Sequence, residues 1–138
     1  MSEYQPAWPD LQLVATVDRD TWEPGDLIRG NLTLTNAATD HTIRFRTGSP
    51  AVGALSTLAG VPVGNNDRPH RGAGRAIDLL PGATADIRFL CGSSRLDTSL
   101  GTTLPPGDYL VTASLRVHTE HVRGRIAAPA VRIRLEHL

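Results

Sequence analysis

The chain has 138 residues, with fourteen arginines, no lysine and fourteen acidic residues, so its formal net charge is zero. This length suits one domain, and the balanced charge argues against a generally basic nucleic-acid-binding protein. A single cysteine excludes an intrachain disulfide. The first residues lack the regions of a signal peptide and no apolar run suits a membrane span, so we predict a cytoplasmic protein without a membrane partner.

Short segments of alternating apolar and polar residues, separated by turn residues about every ten positions, predict strands. The clearest alternating segments are 11–17, 28–35, 42–46, 85–89, 109–117 and 131–135. Residues 52–58 and 61–63 predict two further short strands. No window has apolar residues at helical spacing, so we expect no long helix.

Strands that each have one apolar face, with no helix to cover them, must pack sheet against sheet. We therefore predict an all-β chain, an immunoglobulin-like Greek-key β-sandwich of seven to eight antiparallel strands. Residues 1–10 are predicted to be an N-terminal extension and residues 11–138 the single sandwich domain.

The segment from Leu104 to Tyr109 has the pattern of a tyrosine corner. Pro106 and Gly107 predict a turn, and Tyr109 begins the strand that follows. In Greek-key sandwiches the phenol of such a tyrosine bonds back to backbone a few residues upstream. We therefore assign Pro106, Gly107 and Tyr109 structural roles.

Residues 64–75 have no periodicity and predict a long exposed loop, which we take as the candidate interaction site. Its candidate contact residues are Asn65, Asn66, Asp67, Arg68, His70, Arg71 and Arg75. Arg68 or Arg71 would suit an acidic specificity pocket like that of trypsin. The alternative is a flexible linker with no partner.

No catalytic or metal-binding set is readable, and no cofactor is predicted. Cys91 has no neighbouring base and is expected to be a small packed thiol. On a strand, His118 and Glu120 would share a face while His121 takes the other, and two ligands are too few for zinc. The chain also lacks a phosphate-binding loop and a nucleophile elbow.

Alternation places many arginines on the outward faces of the predicted strands. They are Arg29, Arg44, Arg46, Arg88, Arg116, Arg132 and Arg134. If several share one sheet they form a positive stripe; the alternative is a solvated face with acidic cross-strand partners. Outward aromatic residues for stacking on bases are almost absent, so we expect no nucleic-acid partner.

Three segments, in this order and spacing, resemble the bacterial intracellular proteinase inhibitor family, BsuPI. They are the strand ending at Asn36 with Ile43 to Phe45 after it, the turn Leu80 to Gly82, and the segment Pro106 to Leu115. The resemblance covers roughly residues 11–117. It implies an immunoglobulin-like fold and, as partner, an intracellular protease.

These observations predict a non-enzymatic protein-binding domain, either an intracellular protease inhibitor or a relative that kept the fold. The alternative is an accessory or scaffold immunoglobulin-like domain that binds another protein or a carbohydrate. Residues 18–30 also resemble the opening strands of arrestin-like and macroglobulin-like sandwiches, which are binding scaffolds.

Overall fold

The computed structural model describes residues 8–47, 51–65, 75–95, 104–121 and 123–137, in which all regular structure is β. The strands are β1 (Leu11–Val17), β2 (Thr21–Trp22), β3 (Ile28–Asn36), β4 (Ile43–Thr47), β5 (Ala51–Ser56), β6 (Gly64–Asn65), β7 (Arg75–Leu79), β8 (Thr84–Cys91), β9 (Ser94–Arg95), β10 (Gly107–His118), β11 (Arg123–Ala127) and β12 (Val131–Leu135). The predicted all-β class is confirmed. Across these residues no helix has the length and apolarity to span a membrane.

Ten strands form one mixed sheet, which curls into a half-barrel around the core. The main path runs β1-β3-β8-β5-β10-β12-β2, while β4 and β11 also pair with β10, and β7 pairs with β4. Strands β6 and β9 form a separate two-stranded sheet. The half-barrel forms because each long strand buries alternate side chains on the same, concave face.

The predicted strand count and pairing are wrong in detail. The described residues form twelve strands instead of seven to eight, and the pairs β5–β8 and β12–β2 are parallel. Three of these strands have only two residues, and the sequences of β7 and β11 have no clear alternation of apolar and polar residues. The strand predicted at 61–63 is reduced to an isolated bridge between Ser56 and Pro62, because a turn closed by Thr57 and Val61 comes directly before it.

Strand β10 joins the two halves of the sheet. Its first part lies between β5 and β12, and its last residues lie between β4 and β11. Five of its residues on one face are buried, from Tyr109 to Val117. The apolar alternation that predicted this strand therefore reflects one continuous buried stripe through both halves.

The ring of Phe89 occupies the centre of the core, where two glycines leave room for it. Gly30 of β3 is the register partner of Phe89 in β8. Gly53 of β5 lies beside the same ring, and a Cβ atom there would be 3.1 Å from the ring and 2.6 Å from Cβ of Cys91. The strands can approach this closely only because neither glycine has a side chain.

Asn36 is a fully buried polar residue at the end of β3. Its side-chain amide donates to the carbonyl oxygens of His41 and Leu79, each at 2.9 Å, and its Oδ1 accepts from the N–H of Ala38 at 2.9 Å. Its backbone carbonyl accepts from Gly82 N–H at 2.8 Å. Asn36 therefore fixes the connection after β3 and the turn before β8 to each other.

The predicted tyrosine corner is confirmed. The Tyr109 side chain is buried, and its hydroxyl donates to the carbonyl oxygen of Pro105 at 2.7 Å, four residues upstream. Pro106 forms the bend, and Gly107 begins β10 opposite Leu135 of β12. This hydrogen bond ties the incoming connection to the strand that it starts.

We expect Tyr109→Phe to lower the free energy of unfolding by about 1–3 kcal/mol, because the Pro105 carbonyl loses its donor in a partly buried site. Equilibrium unfolding in urea measures this change. The substitution keeps the ring, so packing in the core should be retained. An unchanged urea midpoint would show that the corner contributes nothing to stability.

Candidate functional site

A groove of about 400 Å³ lies on the outer surface where β10 stops pairing with β4. It is lined by Arg44, Phe45 and Arg46 of β4, Ala76 and Asp78 of β7, and residues 118–120 at the end of β10. Strand β4 pairs with β7 along its whole length, but with β10 only at Arg46 and Thr47. The groove exists because the chain turns away after residue 118, so that no strand in the described part of the chain lies beside the rest of that edge of β4.

The floor of this groove, called here the β4–β10 groove, is held from inside. The Phe45 side chain is buried, and the ring of Trp8 stacks on it with centroids 5.1 Å apart. Leu11 N–H donates to the Trp8 carbonyl at 3.0 Å, which joins this tryptophan to the start of β1. Residues 8–10 thus contact the sheet, although the sequence assigned them to an N-terminal extension.

A row of basic residues crosses the surface beside the groove. Arg46 of β4 is in register with His118 of β10, and His118 is in register with Arg123 of β11. Register partners on antiparallel strands project from the same face, with Cα atoms about 4.5–5.5 Å apart. Among the described residues neither guanidinium, nor the His118 ring, has a hydrogen bond or ion pair. We call these three residues the basic row.

Several other outward arginines lie on solvated faces and have acidic partners, as the alternative to a positive stripe predicted. Arg88 makes a bidentate pair with Asp18 at 2.6 and 3.0 Å, and this hydrogen bonding lowers the pKa of Asp18. The other arginines of this kind are Arg44 with Asp78 at 3.4 Å, Arg132 with Asp108 at 2.9 Å and Arg134 with Glu136 at 3.7 Å. The two arginines of the basic row have no such partner among the described residues, and neither has Arg29 of β3.

The sequence placed two members of the row on outward faces but could not place the third. Arg123 belongs to β11, where a glycine, Gly124, occupies one of the buried positions. The sequence of this strand therefore has no clear alternation of apolar and polar residues. The sequence indicated part of the row: alternation places Arg46 on an outward face, and His118 lies at the end of the strand with the clearest alternation. Their proximity depends on the pairing of β4 with β10, which lie some seventy residues apart in the chain.

The cluster from His118 to His121 does not converge on a metal. His118 and Glu120 both line the groove, while His121 pairs with Glu120 at 3.8 Å and both of these side chains are almost fully exposed. In the part of the chain that the structure describes, no group of three or more histidine, cysteine, aspartate or glutamate residues is placed to hold a metal ion.

Cys91 is a packed thiol at the end of β8. It is fully buried, and burial raises the pKa of its thiol to about 12. Its Sγ lies 3.7 Å from the Gly92 carbonyl oxygen. A thiol in this environment stays protonated at neutral pH and is not a nucleophile.

We expect Cys91 of the native protein to resist Ellman's reagent at about pH 8, where an ordinary thiol with a pKa near 8.5 reacts readily. The same thiol should react at once in denaturing guanidinium chloride. Time courses of absorbance under the two conditions test this. Labelling of native protein as fast as a free thiol would contradict the burial.

The predicted interaction loop falls largely outside the described residues. Its residues 66–74, which include Asn66, Asp67, Arg68, His70 and Arg71, are not described. Its two ends are strands: Asn65 belongs to β6 and pairs with Ser94, and Arg75 begins β7 opposite Thr47. The non-periodic segment is therefore shorter than the sequence predicted.

Two solved structures are similar to this chain. One is a β-glucosidase from Erythrobacter marinus, with a TM-score of 0.52 and 15% identity over 91% of this chain and 15% of that chain. The other is the sporulation control protein Spo0M from Bacillus subtilis, with a TM-score of 0.48 and 14% identity over 94% of this chain and 50% of that chain. This chain thus spans half or less of the length of either.

No family model matches this chain, and no curated protein matches it. At 15% identity, the likeness to part of the Erythrobacter marinus β-glucosidase shows that the fold is shared and nothing about activity.

Proposed function

We propose that this chain is a non-enzymatic protein-binding domain and that its contact surface is the β4–β10 groove. One observation carries the proposal: the groove has an apolar wall at Ala76 beside two guanidinium groups, those of Arg46 and Arg123, that have no partner among the described residues. Concave sites with apolar walls and a few orienting polar groups are typical binding sites.

The framework around the groove supports a binding role. The tyrosine corner, the Asn36 hydrogen bonds and the Phe89 core hold β4 and β10 by contacts that lie away from the surface. We further propose that the curled sheet is a distorted immunoglobulin-like Greek-key sandwich, for which the tyrosine corner is the supporting feature. Sites on strands are held more precisely than sites on loops.

The accessory form of this proposal is that the domain serves a larger assembly. A similar fold covers 15% of a longer β-glucosidase chain, so a unit of this type is compatible with a place beside other domains. In that form the bound segment belongs to the protein partner that the domain accompanies. A carbohydrate ligand is less favoured, because the described residues of the groove include no exposed aromatic ring on which a sugar could stack.

The inhibitor form comes from the resemblance to the bacterial intracellular proteinase inhibitors. It would act through Arg68 or Arg71, which lie outside the described residues. Assays against a panel of serine proteases distinguish the two forms. Inhibition that is lost in the double variant Arg68→Ala/Arg71→Ala and kept in Ala76→Tyr would assign the contact to the loop and remove it from the groove.

A peptide selection tests the groove directly. Dodecapeptides displayed on phage should be enriched by the wild-type protein, and the enriched peptides should lose binding to Ala76→Tyr, whose ring would fill the groove. The matched control is Ala54→Tyr, because Ala54 is an exposed residue on β5 outside the groove. Failure to enrich any peptide, or equal binding to both variants, would contradict the proposal.

A further inference from the structure

We infer that the segment recognised at the β4–β10 groove is acidic, with at least two carboxylate side chains that meet the basic row of Arg46, His118 and Arg123. This inference rests on the proposed function and names the chemical class of the partner's segment. It starts from the way charge is distributed on this face of the sheet.

Charge is segregated in a chain whose total charge is zero. Strand β4, strand β11 and the end of β10 bring Arg44, Arg46 and Arg123 to the outward face of one continuous sheet. The carboxylates that line the groove are Asp78, which pairs with Arg44, and Glu120, which pairs with His121. The local excess of cations attracts anionic segments and speeds their encounter.

The basic row is unfavourable in the free protein. Like charges repel over about a Debye length, which is about 10 Å at 0.1 M salt, and the row brings Arg46 and Arg123 to either side of His118 with no carboxylate between them among the described residues. Other outward strand arginines, such as Arg88 and Arg132, have acidic partners. An anion bound at the row would remove the repulsion and satisfy both guanidinium groups.

The spacing of the row suits an extended peptide. Neighbouring strands lie about 4.8 Å apart, so Arg46 and Arg123, two strands apart, have their backbones about 10 Å from each other. Acidic residues two or three positions apart in an extended chain are separated by about 7–10 Å. The exposed Ala76 in the groove then receives an apolar side chain next to the acidic ones.

Nucleic acid fits this surface less well than an acidic peptide. Stacking of bases requires exposed aromatic rings, and the described outer face has none beside the row, since Phe45 is buried. Asp78 and Glu120 on the groove side would also repel a continuous phosphate backbone. A peptide can place its carboxylates at the row and keep neutral groups near these two residues.

The test measures binding of a fluorescein-labelled peptide in which one leucine is flanked on each side by two glutamates. Fluorescence anisotropy should show saturable binding that weakens between about 50 mM and about 300 mM salt. The double variant Arg46→Gln/Arg123→Gln should bind about tenfold more weakly, which corresponds to about 1.4 kcal/mol. Its thermal midpoint should be unchanged or raised, because the repulsion within the row is removed.

The matched control is Arg29→Gln, an exposed arginine on β3 that lies outside the groove and makes no ion pair among the described residues. It should leave the affinity of the peptide within about twofold of wild type, because salt in this concentration range largely screens the charge of a distant arginine. An equal loss in Arg29→Gln, or no loss in the double variant, would overturn the inference.

Two more ligands complete the test. A glutamine version of the peptide should bind at least about tenfold more weakly, and equal binding would overturn the inference. Row-dependent binding of a single-stranded oligonucleotide without binding of the acidic peptide would also overturn it. If phage selection returns neutral peptides that depend on the groove, the proposed function stands and the acidic partner is ruled out.

Discussion

Replacement of Gly30 by alanine should be among the most damaging single changes in this protein. A Cβ atom at this position would lie well inside van der Waals contact of both the Phe89 ring and the backbone carbonyl oxygen of Thr16. The ring is fully buried among other core side chains, and the carbonyl belongs to the β1 strand paired with β3. Neither group can move without disturbing the core or the strand pairing, so we expect a loss of about 3 kcal/mol or more.

The urea midpoints of Gly30→Ala and Gly60→Ala, measured side by side, distinguish the effect of a steric clash from the effect of replacing a glycine as such. Gly60 has a φ of 88° and nothing within 4 Å of a built Cβ atom, so its replacement strains the backbone without steric overlap. We expect Gly60→Ala to cost about 1 kcal/mol. Equal midpoints for the two variants would show that the strands separate freely around Phe89.

Replacement of Asn36 by leucine should have a comparable effect for an electrostatic reason. Leucine has nearly the same volume, but the His41 and Leu79 carbonyls would lose their donors and the Ala38 N–H its acceptor. Each buried group left without a partner costs about 1–3 kcal/mol. We therefore expect a total loss of about 3–5 kcal/mol in the free energy of unfolding, measured in urea.

Asn36→Asp tests the same site without changing its shape. The carboxylate still accepts from Ala38 N–H, but it faces two carbonyl oxygens that need a donor, so this variant should be strongly destabilised as well. Asn31→Asp is the control, because Asn31 bonds to Thr33 and Asp86 on a solvated face. A stable Asn36→Asp protein would show that water or a backbone shift replaces the donor.

Local sequence patterns predicted the strands that carry the core. Predicted and observed bounds agree within two residues for β1, β3, β4, β8, β10 and β12, because alternate burial over five or more residues leaves a clear period of two. The tyrosine corner was predictable for a similar reason: Tyr109 and its acceptor Pro105 are four residues apart. The pattern of a few neighbouring residues contains all that this hydrogen bond requires.

The sheet pairing and the groove could not be predicted in this way. The parallel contact of β5 with β8 and the point where β10 leaves β4 depend on contacts between distant segments. Alternation indicates which face of a strand is buried but not which strand lies beside it. For this reason the outward positions of Arg46 and His118 could be predicted, while their proximity to each other and to Arg123 became apparent only from the structure.

The central place of β10 has a consequence for how the protein is made. The arms β1-β3-β8 and β4-β7 can pair as soon as residues 8–91 have been synthesised, but their main connection is β10, which pairs with four strands. Until residues 107–118 leave the ribosome, β5 and β4 expose strand edges on which other chains could pair. A chain interrupted before residue 107 should therefore be a substrate for chaperones and proteases, whereas completion of β10, β11 and β12 closes the sheet in one late step.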